Sequence, residues 1–342
     1  MTSDELSLRA YLRQADAHTS GGGTLEVGYA APGAAIEAPL LAAITFGPQP
    51  PQLAAPLHVQ VDLEPLGGTA KVEYWVARGD VTTGRAGAVR YAHDEHFLFA
   101  AIDLDESEHS GILTAAEHAY RAALEFQKQS AYPHLLRMWN FMDRINEGEG
   151  DLERYRQFCV GRARGLGEAA GDQYPAATAI GRQQPTQRLQ VFWLAGRVPG
   201  IAVENPRQVS AYRYPRVYGP ASPSFSRATA LTDGSLLVSG TASIVGHISR
   251  HPDDPIAQTD ETLRNLEVLI ERAQEHRSAA AAAARLLKVY VRNPLHAEAI
   301  ADRIRSAYPA DEVIVLAADI CRRELLLEIE CVRCAGTPHA SR

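Results

Sequence analysis

Tyr155 and Arg162 place a phenol and a guanidinium group on one face of a predicted helix. The two residues are seven positions, or two helical turns, apart, and Leu152, Cys159 and Leu166 lie on the same face. A buried arginine requires an anionic partner, because a low-dielectric interior penalises an unpaired charge. The pattern predicts a carboxylate-binding clamp in which Arg162 and Tyr155 face a ligand, with a structural salt bridge as the alternative.

Residues 204–228 form a second unusual segment, with four arginines, three tyrosines and four prolines. Prolines restrict the backbone, while phenol and guanidinium groups supply hydrogen-bond donors in fixed positions, a combination suited to a preorganised anionic pocket. We predict a strand over 209–214 that places Tyr212 and Tyr214 on one side and Arg213 on the other. A rigid loop without a binding role is the alternative.

The predicted last strand carries two acidic residues, Glu328 and Glu330, among aliphatic neighbours. Because side chains alternate along a strand, both acids share a face with Leu326, and the other aliphatic residues of 325–329 occupy the opposite face. A carboxyl group in apolar surroundings tends to have a raised pKa, which suits a general acid near neutral pH. The alternative for both residues is a solvent-facing position on an edge strand.

The overall composition excludes several classes of protein. The 342 residues, 46% hydrophobic and 22% charged, are typical of a globular chain with one large or two medium domains. A net charge of −7 argues against nucleic acid as the main partner, although only three of the 34 basic residues are lysines. No window approaches about 18 consecutive apolar residues and the first residues are acidic, so we expect no membrane span, no signal peptide and a cytoplasmic protein.

The cysteines and histidines do not have the spacing of a metal site. Four cysteines in a chain without a signal peptide indicate free thiols. The C-x-x-C pair of Cys331 and Cys334 has no second pair to complete a zinc site. We therefore predict that the protein binds no metal.

Hydrophobic periodicity predicts an alternation of strands and helices, after about 55 residues that combine a loose start with short strands. In the first half we predict strands at 59–63, 72–77, 96–104, 132–142 (helix being possible here) and 189–195, and helices at 114–129 and 151–166. Thr114 and Glu117 form a predicted capping box. In the second half we predict strands at 209–214, 227–231, 235–244 and 286–292, helices at 255–276 and 294–308, and a terminal hairpin of 313–318 with 324–332.

The order of these elements repeats between the two halves. Helix 114–129 corresponds to helix 255–276, helix 151–166 to helix 294–308, and strand 189–195 to strand 324–332. The repeat predicts an α+β protein with an internal pseudo-duplication, in which each of two β-sheet units is covered by two helices. The seam falls near residues 196–206, which gives domains at 1–200 and 201–342.

Three longer runs resemble the chorismatase family. They are NPRQVSAYRYPRVYGPASPSFSRA at 205–228, SGTASIVGH at 239–247 followed by QTDETLRNLEVLI, and ERYRQFCVGRAR at 153–164. The resemblance extends from about residue 91 onward. It implies an enzyme that releases pyruvate from chorismate, with a fold similar to that of the RidA-like (YjgF) proteins.

The resemblance also implies roles for individual residues. Glu328 is implied as the catalytic acid that protonates the enol ether of chorismate, with no metal or organic cofactor. The implied substrate-binding residues are Tyr155, Arg162, Tyr214, Arg227, Ala242 and Ser243. Chorismate, a small dicarboxylate, accounts for these arginines, and we expect a monomer or weak homo-oligomer without nucleic-acid or membrane partners.

Cys321 lies seven positions before Glu328, a spacing that resembles the family members that form 3-hydroxybenzoate. The alternatives are additional formation of 4-hydroxybenzoate, hydrolysis to a dihydroxycyclohexadiene carboxylate, and a RidA-like carboxylate-binding module without turnover. Cys321 itself could be a small buried hydrophobe. A tight turn at residues 322 and 323 would separate Cys321 by about 13 Å from the position opposite Glu328, so a wider loop or a bridging substrate is required.

Overall fold

Three main β-sheets and four α-helices make up the part of the chain that the computed structural model describes, residues 23–47, 53–68, 71–167, 174–184, 186–274 and 285–335. The first sheet contains β1 (Val27–Ala30), β2 (Leu40–Phe46), β3 (Leu57–Val61) and β4 (Val72–Val76). The second contains β5 (Thr82–Ala86), β6 (Val89–His93), β7 (Phe97–Asp105), β8 (His134–Asp143), β9 (Ala176–Arg182) and β10 (Arg188–Gly196).

The third sheet contains β11 (Ile201–Val203), β12 (Ala228–Ala230), β13 (Leu236–Thr241), β16 (Arg285–Val291), β17 (Glu312–Ala317) and β18 (Leu327–Arg333). A short ribbon of β14 (Ile244–Val245) and β15 (Ile248–Ser249) follows β13. The helices are α1 (Ile112–Gln129), α2 (Arg154–Leu166), α3 (Pro255–Gln274) and α4 (Ala297–Ala307). Within these described residues, no helix has both the length and the apolar character needed to cross a membrane.

The two larger sheets are buried on both faces, so apolar side chains occupy successive positions along their central strands. On β10, Val191 and Trp193 pack with α1 and α2, whereas Phe192 and Leu194 point into a shared core. On β18, Leu327 and the alternating residues after it pack with α3 and α4. The shared core contains residues from all three sheets and lies where the sheets meet.

The internal duplication is confirmed by the strand order. The second sheet is ordered β5-β6-β7-β10-β8-β9 and the third β11-β12-β13-β18-β16-β17. In each, the last two strands are parallel and the preceding pairings are antiparallel. In chain order, α1 and α2 stand between the strands of the second sheet at the same positions that α3 and α4 occupy between the strands of the third sheet. The predicted α+β class is therefore correct; the second sheet ends at Gly196 and the third begins at Ile201, on either side of the predicted boundary.

The first sheet repeats the last four strands of this order, and its described residues contain no helix. Its order is β1-β4-β2-β3, with β2 parallel to β3 and antiparallel to β4. The sequence order and strand directions match β7, β8, β9 and β10 of the second sheet. In the second sheet, helices follow the two strands that correspond to β1 and β2. Here the described residues 31–39, between β1 and β2, form no helix, and β3 begins at Leu57 soon after β2 ends at Phe46. The duplication analysis did not predict this third copy.

Two predictions about the second half were wrong. Residues 209–214 do not form a strand; 3₁₀ turns at Ala211–Arg213 and Arg216–Tyr218 replace it, because Pro215 and the other prolines cannot donate to a sheet ladder. The terminal hairpin is also absent, since β16 lies between β17 and β18 and is parallel to β17. Tyr212 and Tyr214 therefore do not share a strand face.

Two details of the first-half helices also differ from the predictions. The helix α1 begins at Ile112 after Gly111, so Thr114 and Glu117 lie inside the helix and form no capping box. Leu152 belongs to a 3₁₀ turn before α2 and is 75% exposed, so it does not face the core. The other predicted inward residues of α2 remain buried or half-buried, and residues 132–142 are largely the strand β8.

Four buried charged residues connect the three sheets. Lys288 of β16 contacts both Glu73 of β4 and Glu330 of β18 at 2.6 Å, and Arg137 of β8 contacts Glu330 at 2.6 Å. All four side chains are at most 6% exposed. Burial lowers the pKa of Lys288, but the two carboxylates raise it overall, so the lysine stays charged. The cluster balances two positive and two negative charges in the interior.

Replacing Lys288 by methionine should destabilise the fold strongly, because Glu73 and Glu330 would then share the single cation of Arg137. Removing one partner of a buried ion pair costs about 3–5 kcal/mol. Lys71→Met is the matched control, since the Lys71–Glu312 pair also joins the first and third sheets but is 28% and 39% exposed. The control should lose about 0–1 kcal/mol in urea unfolding. Equal losses in the two variants would contradict this account of the cluster.

Candidate active site

A cavity of about 490 Å³ lies at the junction of the second and third sheets. Its walls come from α2, β9, β13 and β18, from the segment 214–227, and from the loop that precedes β18. Both units of the duplication therefore contribute to the cavity. The predicted site residues Tyr155, Arg162, Tyr214, Arg227, Ala242, Cys321 and Glu328 all line it.

The Glu328 side chain is buried and lines this cavity, on the face of β18 that points away from α3 and α4. The residue is 5% exposed, and its carboxyl accepts no hydrogen bond from the described residues. Burial and the nearby Glu330 together raise the pKa of Glu328 to about 8, against the opposing effects of Arg137 and Arg227. The group is therefore largely protonated at neutral pH and can act as a general acid.

Glu330, two residues further along the same face, has the opposite charge state. Burial alone raises the pKa of Glu330, but Lys288 and Arg137 hold it below its usual range. The Thr178 hydroxyl donates to Glu330 Oε2 at 2.8 Å, and Trp139 Nε1 donates to Oε1 at 3.1 Å. Neither acid is a solvent-facing edge residue, so that alternative is wrong for both.

Arg162 enters the cavity from α2 with its charge uncompensated. It is 3% exposed, donates from Nη2 to the Ser224 carbonyl at 2.7 Å, and lies over the Tyr120 ring at 5.0 Å. Its Nε is buried without a hydrogen-bond partner, and no carboxylate of the described residues pairs with it. The structural salt bridge is therefore not what the structure shows, and the guanidinium is available to an anionic ligand.

Arg227 and Tyr214 form the second cationic wall. Arg227 is 4% exposed and donates from Nη2 to the Tyr214 hydroxyl at 2.7 Å and to the Val209 carbonyl at 2.8 Å. Its guanidinium also lies 5.3 Å from the Phe225 ring, and its Nε has no hydrogen-bond partner. Within the described chain this guanidinium has no ion pair either. The irregular backbone of 204–227, not a strand, presents both side chains to the cavity.

Two predicted binding residues differ in position although they are neighbours. Ala242 lines the cavity just after β13. Ser243 is fully buried behind it, donates its hydroxyl to the Arg250 carbonyl at 3.1 Å, and is not part of the cavity lining.

Tyr155 lies on the opposite wall, where burial and nearby Cys159 keep the pKa of its phenol well above the usual value. Its hydroxyl therefore remains a neutral donor.

Cys321 reaches the cavity from a wide loop between β17 and β18. Arg292 holds this loop through bonds to the carbonyls of Ile320, Arg322 and Leu325 and an ion pair with Asp319 at 2.8 Å. Because β17 and β18 are not a hairpin, the separation that a tight turn would impose does not arise. Burial and the nearby Glu328 raise the pKa of Cys321, so the residue is a neutral thiol and not a thiolate.

Three further residues of the site were missed from the sequence. Arg322 lies 4.0 Å from the Tyr218 ring and donates to the His247 carbonyl at 2.9 Å. Gly240 provides space for the acid, since a Cβ there would lie 1.8 Å from Glu328 Oε1. Thr178 of β9 lines the cavity beside them. The adjacent arginines at 322 and 323 were a visible signal, but the positions of Gly240 and Thr178 depend on contacts between distant strands.

A neutral carboxylic acid in one cavity with two guanidinium groups that form no ion pair with the described residues defines an acid–base enzyme site for a small anionic substrate. The profile described as "Chorismatase FkbO/Hyg5-like, N-terminal" matches residues 73–195. A 3-hydroxybenzoate synthase of Streptomyces hygroscopicus is 35% identical over 292 residues, covering 80% of this chain and 85% of the relative. A chorismatase of Streptomyces rapamycinicus is 38% identical over 276 residues, covering 75% and 80% of the two chains.

A chorismatase crystal structure aligns with a TM-score of 0.81 and 31% identity, over 90% of this chain and 98% of that one. The chain belongs to the chorismatase family. The resemblance identified in the sequence is thereby confirmed, and the strand orders of the second and third sheets show the duplicated units that it implies.

The buried Glu328 predicts a specific dependence of stability on pH. Between about pH 5 and 8 the folded protein holds a proton that the unfolded side chain, with its ordinary pKa of 4.5, has released, so stability falls as pH rises through this range. Glu328→Gln removes this loss. As pH rises, the free energy of unfolding of this variant should therefore increase relative to that of the wild type, by up to about 1.4 kcal/mol per pH unit in urea titrations.

The exposed Glu298 provides the control for this experiment. Glu298→Gln should show no such slope relative to the wild type. A constant difference between Glu328→Gln and the wild type from pH 5 to 8 would show that Glu328 is not protonated in the folded state.

Proposed function

We propose that the protein converts chorismate to pyruvate and 3-hydroxybenzoate, with Glu328 as the general acid. The observation that carries this proposal is the protonated Glu328 carboxyl in the same cavity as the unpaired charges of Arg162 and Arg227. The relative named 3-hydroxybenzoate synthase supports the product assignment.

The charges of the cavity suit this substrate. Chorismate carries two carboxylates, one on its ring and one on its enolpyruvyl group, and the cavity offers two guanidinium groups without an ion pair among the described residues. An arginine can hold a carboxylate through two parallel hydrogen bonds. A volume of about 490 Å³ is within the range of small-molecule sites. The hydroxyls of Tyr155 and Tyr214 add polar groups to the same walls.

The reaction begins with proton transfer from Glu328 to the methylene carbon of the enol ether. The transfer leaves an oxocarbenium centre at the ether carbon and a carboxylate on Glu328, and the new negative charge stabilises the cation. An ionised Glu328 would instead repel the dianionic substrate and could not donate. The raised pKa of Glu328 therefore serves both binding and chemistry.

Cys321 favours the aromatic product over the hydrolytic one. In the proposed course the ring hydroxyl, not water, attacks the ring carbon that bears the ether, while the bond from that carbon to the ether oxygen breaks and its electron pair forms the keto group of the departing pyruvate. The proton of the hydroxyl returns to the Glu328 carboxylate, and Cys321 assists the ring rearrangement that leads to the aromatic product. The thiol is neutral and lines the cavity with Glu328, so it can exchange a proton with the bound ring. A binding module without turnover is disfavoured, because a carboxyl opposite the arginines adds nothing to carboxylate binding.

Glu328→Gln should reduce pyruvate release by at least about 100-fold, since a positioned general acid typically contributes that much or more. Glutamine keeps the size of the side chain but cannot donate a proton to carbon. Pyruvate is followed by coupled lactate dehydrogenase, and chorismate binding to the variant is measured by calorimetry. Near-normal turnover would remove Glu328 from the mechanism, and a wild-type protein that releases no pyruvate would refute the proposed function.

Cys321→Ala should shift the product from 3-hydroxybenzoate toward the dihydroxycyclohexadiene carboxylate while pyruvate release continues. Cys159→Ala is the matched control, because Cys159 is also buried near Tyr155 but does not line the cavity. Chromatography of the products should show a change in the first variant and not in the second. An unchanged product profile for Cys321→Ala would refute its assigned role.

A further inference from the structure

A short chain of hydrogen bonds connects Glu330 to the backbone beneath the Glu328 carboxyl. The Thr178 hydroxyl donates to Glu330 Oε2 at 2.8 Å and accepts from the Gly240 N–H at 2.9 Å. Gly240 is the residue at which a Cβ would lie 1.8 Å from Glu328 Oε1, so the carboxyl lies directly against this backbone. The position of Gly240 therefore depends on Thr178 and Glu330. The Glu328 carboxyl packs against this backbone, so its position depends on them too.

The Glu330 carboxylate is held by contacts from several buried side chains. Arg137 and Lys288 each contact one of its oxygens at 2.6 Å, and Trp139 donates to it at 3.1 Å. Arg137 also donates to the Thr178 hydroxyl, which thus has three partners. A carboxylate held by two buried cations keeps its charge and its geometry. The mechanism proposed above uses none of these groups.

We propose that Glu330 is a positioning residue of the reaction. Through Thr178 it holds the Gly240 backbone against the Glu328 carboxyl, and its permanent negative charge acts on that carboxyl. The inference rests on the proposed role of Glu328 as general acid. Glu330 is not itself part of the cavity lining, so it acts through Thr178 and through its charge.

The charge effect is specific because few charged groups face Glu328. Arg137 from β8 and Arg227 from the segment before β12 favour its ionised form, and Glu330 from β18 opposes them. Tyr155 from α2, Tyr290 from β16, which is paired with Glu328 in the sheet, and Cys321 from the preceding loop are further titratable groups near it, and burial keeps all three neutral. Loss of the Glu330 charge would leave the two arginines unopposed, and the Glu328 proton would be lost at lower pH.

The test is the pH profile of kcat/KM for pyruvate release, whose alkaline limb reports the acid of the free enzyme. Glu330→Gln should move this limb to lower pH by about one unit, the usual effect of one close charge. Glu73→Gln is the matched control, because Glu73 is equally buried and contacts the same Lys288 at 2.6 Å but has no link to Gly240. The control should leave the limb in place.

Thr178→Val provides a second test that keeps the Glu330 charge and removes the hydroxyl. The rate should fall about tenfold, from the loss of the hydrogen bonds that seat Gly240, while the alkaline limb stays at the wild-type pH. If Glu330→Gln does not fold, Thr178→Val tests the proposal by itself. An unchanged rate of pyruvate release in Thr178→Val would then overturn the proposal.

The proposal would also be overturned if the alkaline limb of the kcat/KM profile stays at the wild-type pH in Glu330→Gln. It would be overturned as well if the limb moves equally far in Glu73→Gln. Failure of the underlying function is distinguishable, because in that case Glu328→Gln would retain activity. An inactive Glu328→Gln with an unmoved limb in Glu330→Gln would refute only the role of Glu330.

Discussion

Two buried carboxyl groups on one face of β18 have opposite charge states, and the chemistry of the site depends on that difference. Glu330 is ionised because Lys288 and Arg137 bond to it, whereas Glu328 has no bonded cation and faces a cavity. Environments that separate the pKa values of two neighbouring acids commonly assign them different roles. Here one carboxylate belongs to the charge cluster that joins the sheets, and the other is the proton donor of the proposed mechanism.

The duplication explains how one chain builds this arrangement. The first unit contributes Arg162 on α2 and Thr178 on β9, and the second contributes Glu328 on β18 and Arg227 before β12. The cavity exists only where the two units meet, so neither half carries a complete set of groups. The charge cluster at the same junction, which also includes Glu73 of the first sheet, holds the units in register.

Local sequence patterns predicted the helices, most strands and the residue types of the site, because those depend on periodicity and side-chain chemistry. Arg162 was identifiable as a charge on an apolar helix face, and Glu328 as an acid in an apolar strand. Nonlocal pairing was not predictable: β16 separates β17 from β18, and no local signal shows it. The partners of Glu330 are equally remote, since Arg137 lies 193 residues away and Lys288 lies 42.

The protonation state of Glu328 is the central claim, and it can be observed directly. Infrared difference spectroscopy of the ¹³C-glutamate-labelled protein resolves the C=O stretch of a protonated carboxyl as pH is varied. We expect a band that is present at pH 7, disappears with a midpoint near pH 8, and is missing from Glu328→Gln. A midpoint near the ordinary value of 4.5, or the same band in the glutamine variant, would contradict the account.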